Sequence, residues 1–138
     1  MIWLVDTSVW IDFLRGRETQ LVSQLQQLLA PDNATAITPV IYQEILQGTD
    51  SEENFKRYEE YFGSQLFVHP RHPVQSYAKA AWLYFHCRKN GITLRSTIDC
   101  LIAQIAIEHN LFLLHDDRDF TQIASVEPRL RLAESLWK

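Results

Sequence analysis

Six acids in this chain stand where solvated surface charge is not expected, and their surroundings suggest chemistry. Asp6 closes the apolar run Ile2-Trp3-Leu4-Val5. A run that short reads as a buried parallel strand, and open α/β sheets act at the carboxyl ends of such strands. Glu44 interrupts an apolar helix face, with Val40 and Ile41 before it and Gly48 after it. A buried unpaired charge is costly, so an arginine or a site cation should compensate it. Asp99 opens the most regular helical pattern and shares a face with Ile102, Ala103 and Ala106. Asp116, Asp117 and Asp119 follow a fourth apolar run, and acids packed so closely repel one another unless a cation is present.

Each acid also has a purely structural use. Asp6 can cap the next helix. Ser96 and Asp99 have the spacing of a capping box. Asp116 with Asp119 could cap a short helix, leaving Asp117 as the best site acid and Asp119 close behind. Jointly the acids can converge at one sheet edge, and no Cys or His ligand spacing competes with them. An all-carboxylate cluster is a hard-oxygen site suited to Mg²⁺ or Mn²⁺. Two such ions ~4 Å apart can activate a water and stabilise the leaving oxygen of a phosphodiester.

The elements that must position these acids follow from periodicity. After the first strand, Ser8 to Leu14 reads as a short helix capped by Thr7 or Ser8 and ended by Gly16. Gln20 to Leu29 is amphipathic, Pro31-Asp32-Asn33 is a turn, and Ala34 to Thr38 is a second strand. Pro39 opens the Glu44 helix, Val40 to Gln47, and Ser51 caps another over Ser51 to Phe62. Leu66 to His69 is a third strand. A long helix, Val74 to Lys89, offers Val74, Tyr77, Ala78, Ala81, Trp82 and Phe85 as its core-facing side. Ser96 to His109 carries the stripe Ile98, Leu101, Ile102, Ile105 and Ala106. Leu111 to Leu114 is a fourth strand, Asp119 to Ser125 a short helix, and Leu130 to Leu132 an edge strand before the tail Ala133 to Trp137. Strands alternating with helices predict an α/β domain with a small parallel sheet and helices on both faces.

The 138 residues suit a single domain over 1–138. No apolar run reaches the ~18 residues of a membrane span, and Met1 leads into the first strand without a basic leader, so a cytoplasmic protein is expected. Cys87 and Cys100 are expected as free core thiols. The formal charge of -4 argues against a simple basic nucleic-acid binder. It hides a basic middle, because Tyr61 to Ile98 contains no acid but holds Arg71, Lys79, Arg88, Lys89 and Arg95. Without Asp6, Glu44, Asp99 and Asp117 the net charge is 0, so two divalent ions would offset all four acids.

Ile2-Trp3-Leu4-Val5-Asp6-Thr7-Ser8, the Glu44 helix, Ser96-Thr97-Ile98-Asp99-Cys100-Leu101-Ile102-Ala103 and Leu113-Leu114-His115-Asp116-Asp117-Arg118-Asp119-Phe120 together resemble a PIN-domain ribonuclease. More narrowly, they resemble the VapC toxins of bacterial toxin–antitoxin pairs. The resemblance implies a strand order near 3-2-1-4-5 and a Mg²⁺- or Mn²⁺-dependent endoribonuclease acting on RNA. It also implies a VapB-like antitoxin and a toxin homodimer. The metal-site acids it implies are Asp6, Glu44, Asp99 and Asp117, supported by Asp119, with Thr7 or Ser8 at the family's hydroxyl position. Asp116 departs from the family, where Asn is more usual.

Arg95 and Arg118 lie beside the acids and are the candidates for phosphate contact. His115 reads as a packed strand-end residue. No Ser-His-Asp or Cys-His arrangement supports a covalent nucleophile. The competing readings are a catalytically idle PIN-like module that binds RNA or protein, and an acidic-site phosphotransferase. The latter would need a second Asp after Asp6-Thr7-Ser8 and a late-strand Lys, which the sequence lacks.

Overall fold

The computed structural model describes residues 1–29 and 34–135. Its five strands are β1 (Trp3–Val5), β2 (Thr35–Ile37), β3 (Leu66–Phe67), β4 (Phe112–Leu114) and β5 (Arg131–Leu132). They form one parallel sheet in the order β3-β2-β1-β4-β5. The chain starts at the centre, steps outward twice, then returns across to the other side of β1. The order therefore reverses between β1 and β4, where Leu4 pairs with Leu113 and Val5 with Leu114. A ligand crevice is expected outside the carboxyl ends of the strands at such a reversal.

Seven α-helices and a short 3-10 helix at Ala133–Ser135 complete the described chain: α1 (Thr7–Leu14), α2 (Gln20–Leu28), α3 (Pro39–Gln47), α4 (Glu52–Gly63), α5 (Gln75–Lys89), α6 (Thr97–Glu108) and α7 (Arg118–Val126). Right-handed crossovers to either side of β1 send α1–α4 to one face and α5–α7 to the other. The packing agrees. Helix α1 contacts α2 and α3, and α3 contacts α4, while α5, α6 and α7 contact one another. Between the layers lie the fully buried Leu4, Ile37, Ile41, Ile102, Leu113, Phe120 and Trp10, whose ring meets Phe62 edge-on at 5.0 Å. Among the described residues, no helix is long and apolar enough to cross a membrane.

Several ends fall where the sequence places them. Pro39 opens α3, with Thr38 as its cap rather than a strand residue, Ser51 caps α4, and Cys87 and Cys100 are free and buried. Others differ. Of the caps the sequence offers for α1, Asp6 takes the position and Thr7 and Ser8 do not. Ser96 occupies the cap position of α6, but its side chain makes no capping bond, so the Ser96–Asp99 box does not form. The strands are shorter than the apolar runs suggest. The Pro31-Asp32-Asn33 turn and Trp137 lie outside the described residues.

The largest difference concerns α5. Its buried residues are Ser76, Ala80, Leu83 and Cys87. Val74, Tyr77, Trp82 and Phe85, the expected core side, are exposed, Val74 by 77% and Trp82 by 55%. Small residues let α5 sit close against α6, and the bulky residues are left on the outer side. On α6, Ile98 is likewise exposed, and the buried surface extends around Asp99, Cys100, Ala103 and Gln104. Lying between the sheet and α5, that helix is buried over most of its circumference.

Candidate active site

Strand β1 is buried throughout and delivers Asp6 to its carboxyl end, where the Asp6 N–H still pairs with the carbonyl of Leu114 at 2.9 Å. The Asp6 carboxylate accepts hydrogen bonds from the Ser8 hydroxyl at 2.9 Å and the Ser8 N–H at 3.4 Å. The Ser8 hydroxyl in turn accepts from the Asp116 N–H at 3.2 Å. Ser8 thus ties the end of β1 to the turn after β4. Beside it, the Thr7 hydroxyl donates to Oε1 of Glu44 at 2.7 Å, fixing a half-buried carboxylate presented by α3.

The turn after β4 is built by hydrogen bonds among its own residues. Nδ1 of His115 accepts from the Asp117 N–H at 3.1 Å, and Oδ1 of Asp117 accepts from the Asp119 N–H at 2.9 Å. Asp117 is therefore the cap of α7. The expected Asp116–Asp119 pairing is replaced by this Asp117–Asp119 one, because Asp116 is held by its N–H to Ser8 in the turn before the helix starts and Asp117 takes the cap position. Asp116 is exposed, and its backbone rather than its carboxylate is used. Asp119 is buried, and its Oδ2 accepts from the N–H groups of Arg95 and Ser96, each at 2.9 Å.

Oxygens of Asp99, Asp117 and Asp119 lie within 4.8 Å of one another. Oδ2 of Asp99 is buried and has no hydrogen-bond partner. Burial pushes the Asp99 carboxyl up to about 9, reinforced by a hydrogen bond to Asp117 and by the charges of Asp117, Asp6 and Asp119. Asp6 is pushed up to about 6, chiefly by burial, with Ser8 and Thr7 holding it down and the Glu44 charge adding to the rise. Burial holds His115 below its ordinary range, against the opposing pull of Glu134, Asp117 and Asp116. A neutral ring suits an Nδ1 that accepts a hydrogen bond.

Asp99, Asp117 and Asp119 thus form the tight group, and Asp6 and Glu44 adjoin it through the electrostatic coupling of Glu44 to Asp6 and Asp6 to Asp99. The three grouped carboxylates, one with an orphaned buried oxygen, make a hard-oxygen donor set of the kind that suits Mg²⁺ or Mn²⁺. Arg95 stands at the rim, its Nε 3.9 Å from Asp119, and is exposed. Arg118 is exposed at the first position of α7. The bridging hydroxyl of Ser8 and the ring of His115 are positioning groups whose partners sequence adjacency alone does not reveal.

The family model described as PIN domain matches residues 3–126. The chain is 31% identical over 124 residues to the VapC ribonuclease Mb1587 of Mycobacterium bovis, covering 89% of this chain and 92% of that protein. Ribonuclease VapC11 of Mycobacterium tuberculosis matches to the same extent. The fold is similar to that of VapBC2 from Rickettsia felis, solved bound to a DNA fragment from its promoter. That match has a TM-score of 0.71 and 22% identity, covering 96% of this chain and 97% of the other. It is also similar to VapBC-1 from nontypeable Haemophilus influenzae, with a TM-score of 0.69, 21% identity and 96% of each chain covered.

Proposed function

The chain belongs to the PIN-domain family, and we propose that it is a metal-dependent endoribonuclease serving as the toxin of a toxin–antitoxin pair. The observation that carries this reading is the group of Asp99, Asp117 and Asp119 oxygens within 4.8 Å at the sheet's reversal point, beside Asp6. The family match and the ribonuclease names of the relatives supply the reaction class.

In this reading Asp6, Glu44, Asp99 and Asp117 would hold Mg²⁺, or Mn²⁺ in its place, with Asp119, which groups with Asp99 and Asp117, in support. Such an ion would supply Lewis-acid polarisation of a phosphate and lower the pKa of a water. The protein's own part is geometry. Thr7 aims Glu44, Ser8 holds Asp6 against the Asp116 turn, and Asp119 fixes the start of α6 and so Asp99. Thr7 and Ser8 also line the approach of the RNA, and Arg95 and Arg118 contact its phosphates, where Arg geometry suits the anion. Burial keeps the carboxylates poorly hydrated, so a cation is the group that best relieves their mutual repulsion.

Relatives of this fold are solved as VapBC complexes, which supports a VapB-like antitoxin as partner. The outward residues Tyr77, Trp82 and Phe85 of α5 with Ile98 of α6 support a homodimer, since an apolar face of this kind marks an interface. The protein acts in the cytoplasm, as one PIN domain over 1–138.

The test is cleavage of RNA by the purified chain in Mn²⁺ or Mg²⁺, compared with EDTA. Asp6→Asn and Asp99→Asn should abolish cleavage with the fold intact, since Asn keeps the N-cap function of Asp6. Full metal-dependent cleavage by folded Asp99→Asn would defeat the proposal, and no cleavage of any RNA by the unaltered chain would favour an idle binding module.

A further inference from the structure

At the other end of α6 from Asp99 lies a cleft of about 480 Å³ between the start of α5, the end of α6 and the segment leading into β5. Asp99 is in the first turn of α6 and Glu108 is its last residue, nine positions on, so at 1.5 Å per residue the cleft is about 14 Å away along the helix. Its wall holds Arg71, Lys79, Arg129 and Arg131, four of the chain's 13 lysines and arginines. They come from three separate stretches of chain. The only carboxylate among the lining residues is Glu108.

That carboxylate is fully engaged by the protein. Oε1 accepts from the Arg71 N–H at 2.8 Å and the Ser76 hydroxyl at 3.0 Å, and Oε2 from the Gln104 amide at 2.9 Å. The cations are less fully used. Arg71 donates through Nε to the Glu108 carbonyl, and Arg131 through one terminal nitrogen to the Asn110 carbonyl. These two bonds cap the carboxyl end of α6, which accounts for two of the four cations. They leave most of the five donors on each guanidinium. Nε of Arg131 is buried without a hydrogen-bond partner, and its guanidinium lies over the Phe112 ring at 4.4 Å. Lys79 makes no ion pair within 4.0 Å among the described residues, whereas Arg129 is paired through Nε and a terminal nitrogen with Oε1 of Glu127. Capping does not explain why Lys79 from α5 and Arg129 from the β5 side should meet at the same cleft.

We propose that this cleft binds phosphate, carried either by an RNA strand or as the free ion. A concave surface lined by four cations, with Glu108 saturated and Glu127 engaging one cation, is complementary to a small dianion or a sugar-phosphate backbone. On a chain of net charge -4 it concentrates positive charge away from the acid cluster. In the RNA case, which rests on the ribonuclease reading, it anchors the substrate at a point remote from the acids.

The experiment uses the full chain in EDTA, so that the acid cluster carries no metal. Inorganic phosphate is titrated by NMR, and a labelled single-stranded RNA by fluorescence anisotropy at several salt concentrations. The comparison is the double variant Lys79→Gln with Arg129→Gln; both side chains are exposed, so folding should be unaffected. Loss of two phosphate contacts should weaken RNA binding about tenfold and reduce its salt slope by about 1.4, at about 0.7 per contact on a single strand. Weaker binding of both probes supports the RNA source, and weaker binding of phosphate alone supports the free ion. Unchanged binding of both overturns the proposal. So does a polyglutamate peptide that binds here while both phosphate probes are unaffected, which would assign the cleft to an acidic protein. Mn²⁺-dependent cleavage by the unaltered chain tests the ribonuclease reading separately, and its failure would leave the phosphate titration standing.

Discussion

Oδ2 of Asp119 accepts the N–H of Ser96 at 2.9 Å, so an acid from the start of α7 satisfies the amino end of α6. The N–H of Arg95 adds a second bond to the same oxygen. Helix starts leave N–H groups in need of acceptors, and these are usually met by a neighbouring side chain in sequence. Here the acceptor lies 23 residues away and belongs to the acid cluster. The position of Asp99 is therefore coupled to that of Asp119.

Removing that acceptor should loosen the helix start and the site together. Asp119→Ala should cost about 1–3 kcal/mol for the buried bonds lost. Asp119→Asn retains a carbonyl oxygen and should recover much of the stability. Urea denaturation of both variants, with RNA cleavage measured alongside, checks this. Equal stability of Asp119→Ala and the unaltered chain would contradict the clamp.

Without metal, the protein should lose stability as pH rises. The Asp99 carboxyl is raised to about 9 from its usual 3.8, so the folded state holds a proton that the unfolded state releases near pH 4. That contribution is fully present below pH 4 and is lost progressively as pH climbs towards 9. Asp6, raised to about 6, adds to the loss between about pH 4 and 6. In EDTA, Asp99→Asn should therefore raise the Tm relative to the unaltered chain at pH 8 but not at pH 4. Thermal melts at the two pH values decide it, and a Tm gain independent of pH would refute the assignment.

Adding Mg²⁺ should reverse that trend. Metal binds the ionised acids and competes with their protons, so stabilisation by Mg²⁺ should grow from pH 5 to pH 8. Asp99→Asn should lose most of it. Melts with and without the ion read this directly.

Thr7→Val keeps the shape of the side chain and deletes its hydrogen bond to Glu44. Loss of such an orienting bond behind a metal ligand typically costs about 10- to 100-fold in affinity or activity. Metal titration and RNA cleavage should both weaken over that range while the fold is retained. An unchanged metal affinity would mean that Glu44 needs no positioning.

On α5, Trp82→Glu places a charge on the exposed apolar face. Sedimentation should show a shift from dimer to monomer with little change in helical content. A monomer in the unaltered protein would remove the dimer from the proposal.

The amino-acid sequence by itself determined the alternation of strands and helices, the placement of the acids at strand and helix ends, the Pro39 start of α3 and the Ser51 cap of α4, while the strand order came only with the family resemblance. These features depend on interactions short in sequence: apolar runs, helical periodicity and caps within three residues. The family resemblance drew on the same local motifs. Asp6 illustrates the limit, because it is both a helix cap and a neighbour of the acid cluster, and no local pattern separates the two roles.

The tertiary structure alone decided which side of α5 faces inward. That helix is apolar on two sides, and close packing against α6 selects the small residues Ser76, Ala80 and Cys87 over the bulky stripe of Tyr77, Trp82 and Phe85. It likewise decided that Asp117 caps α7, that Asp119 serves α6, and that Ser8 joins Asp6 to the Asp116 turn. The Asp119 and Ser8 bonds close between groups 23 and 108 residues apart, and which partners meet is fixed by the fold's geometry, with no period or spacing along the chain to announce it.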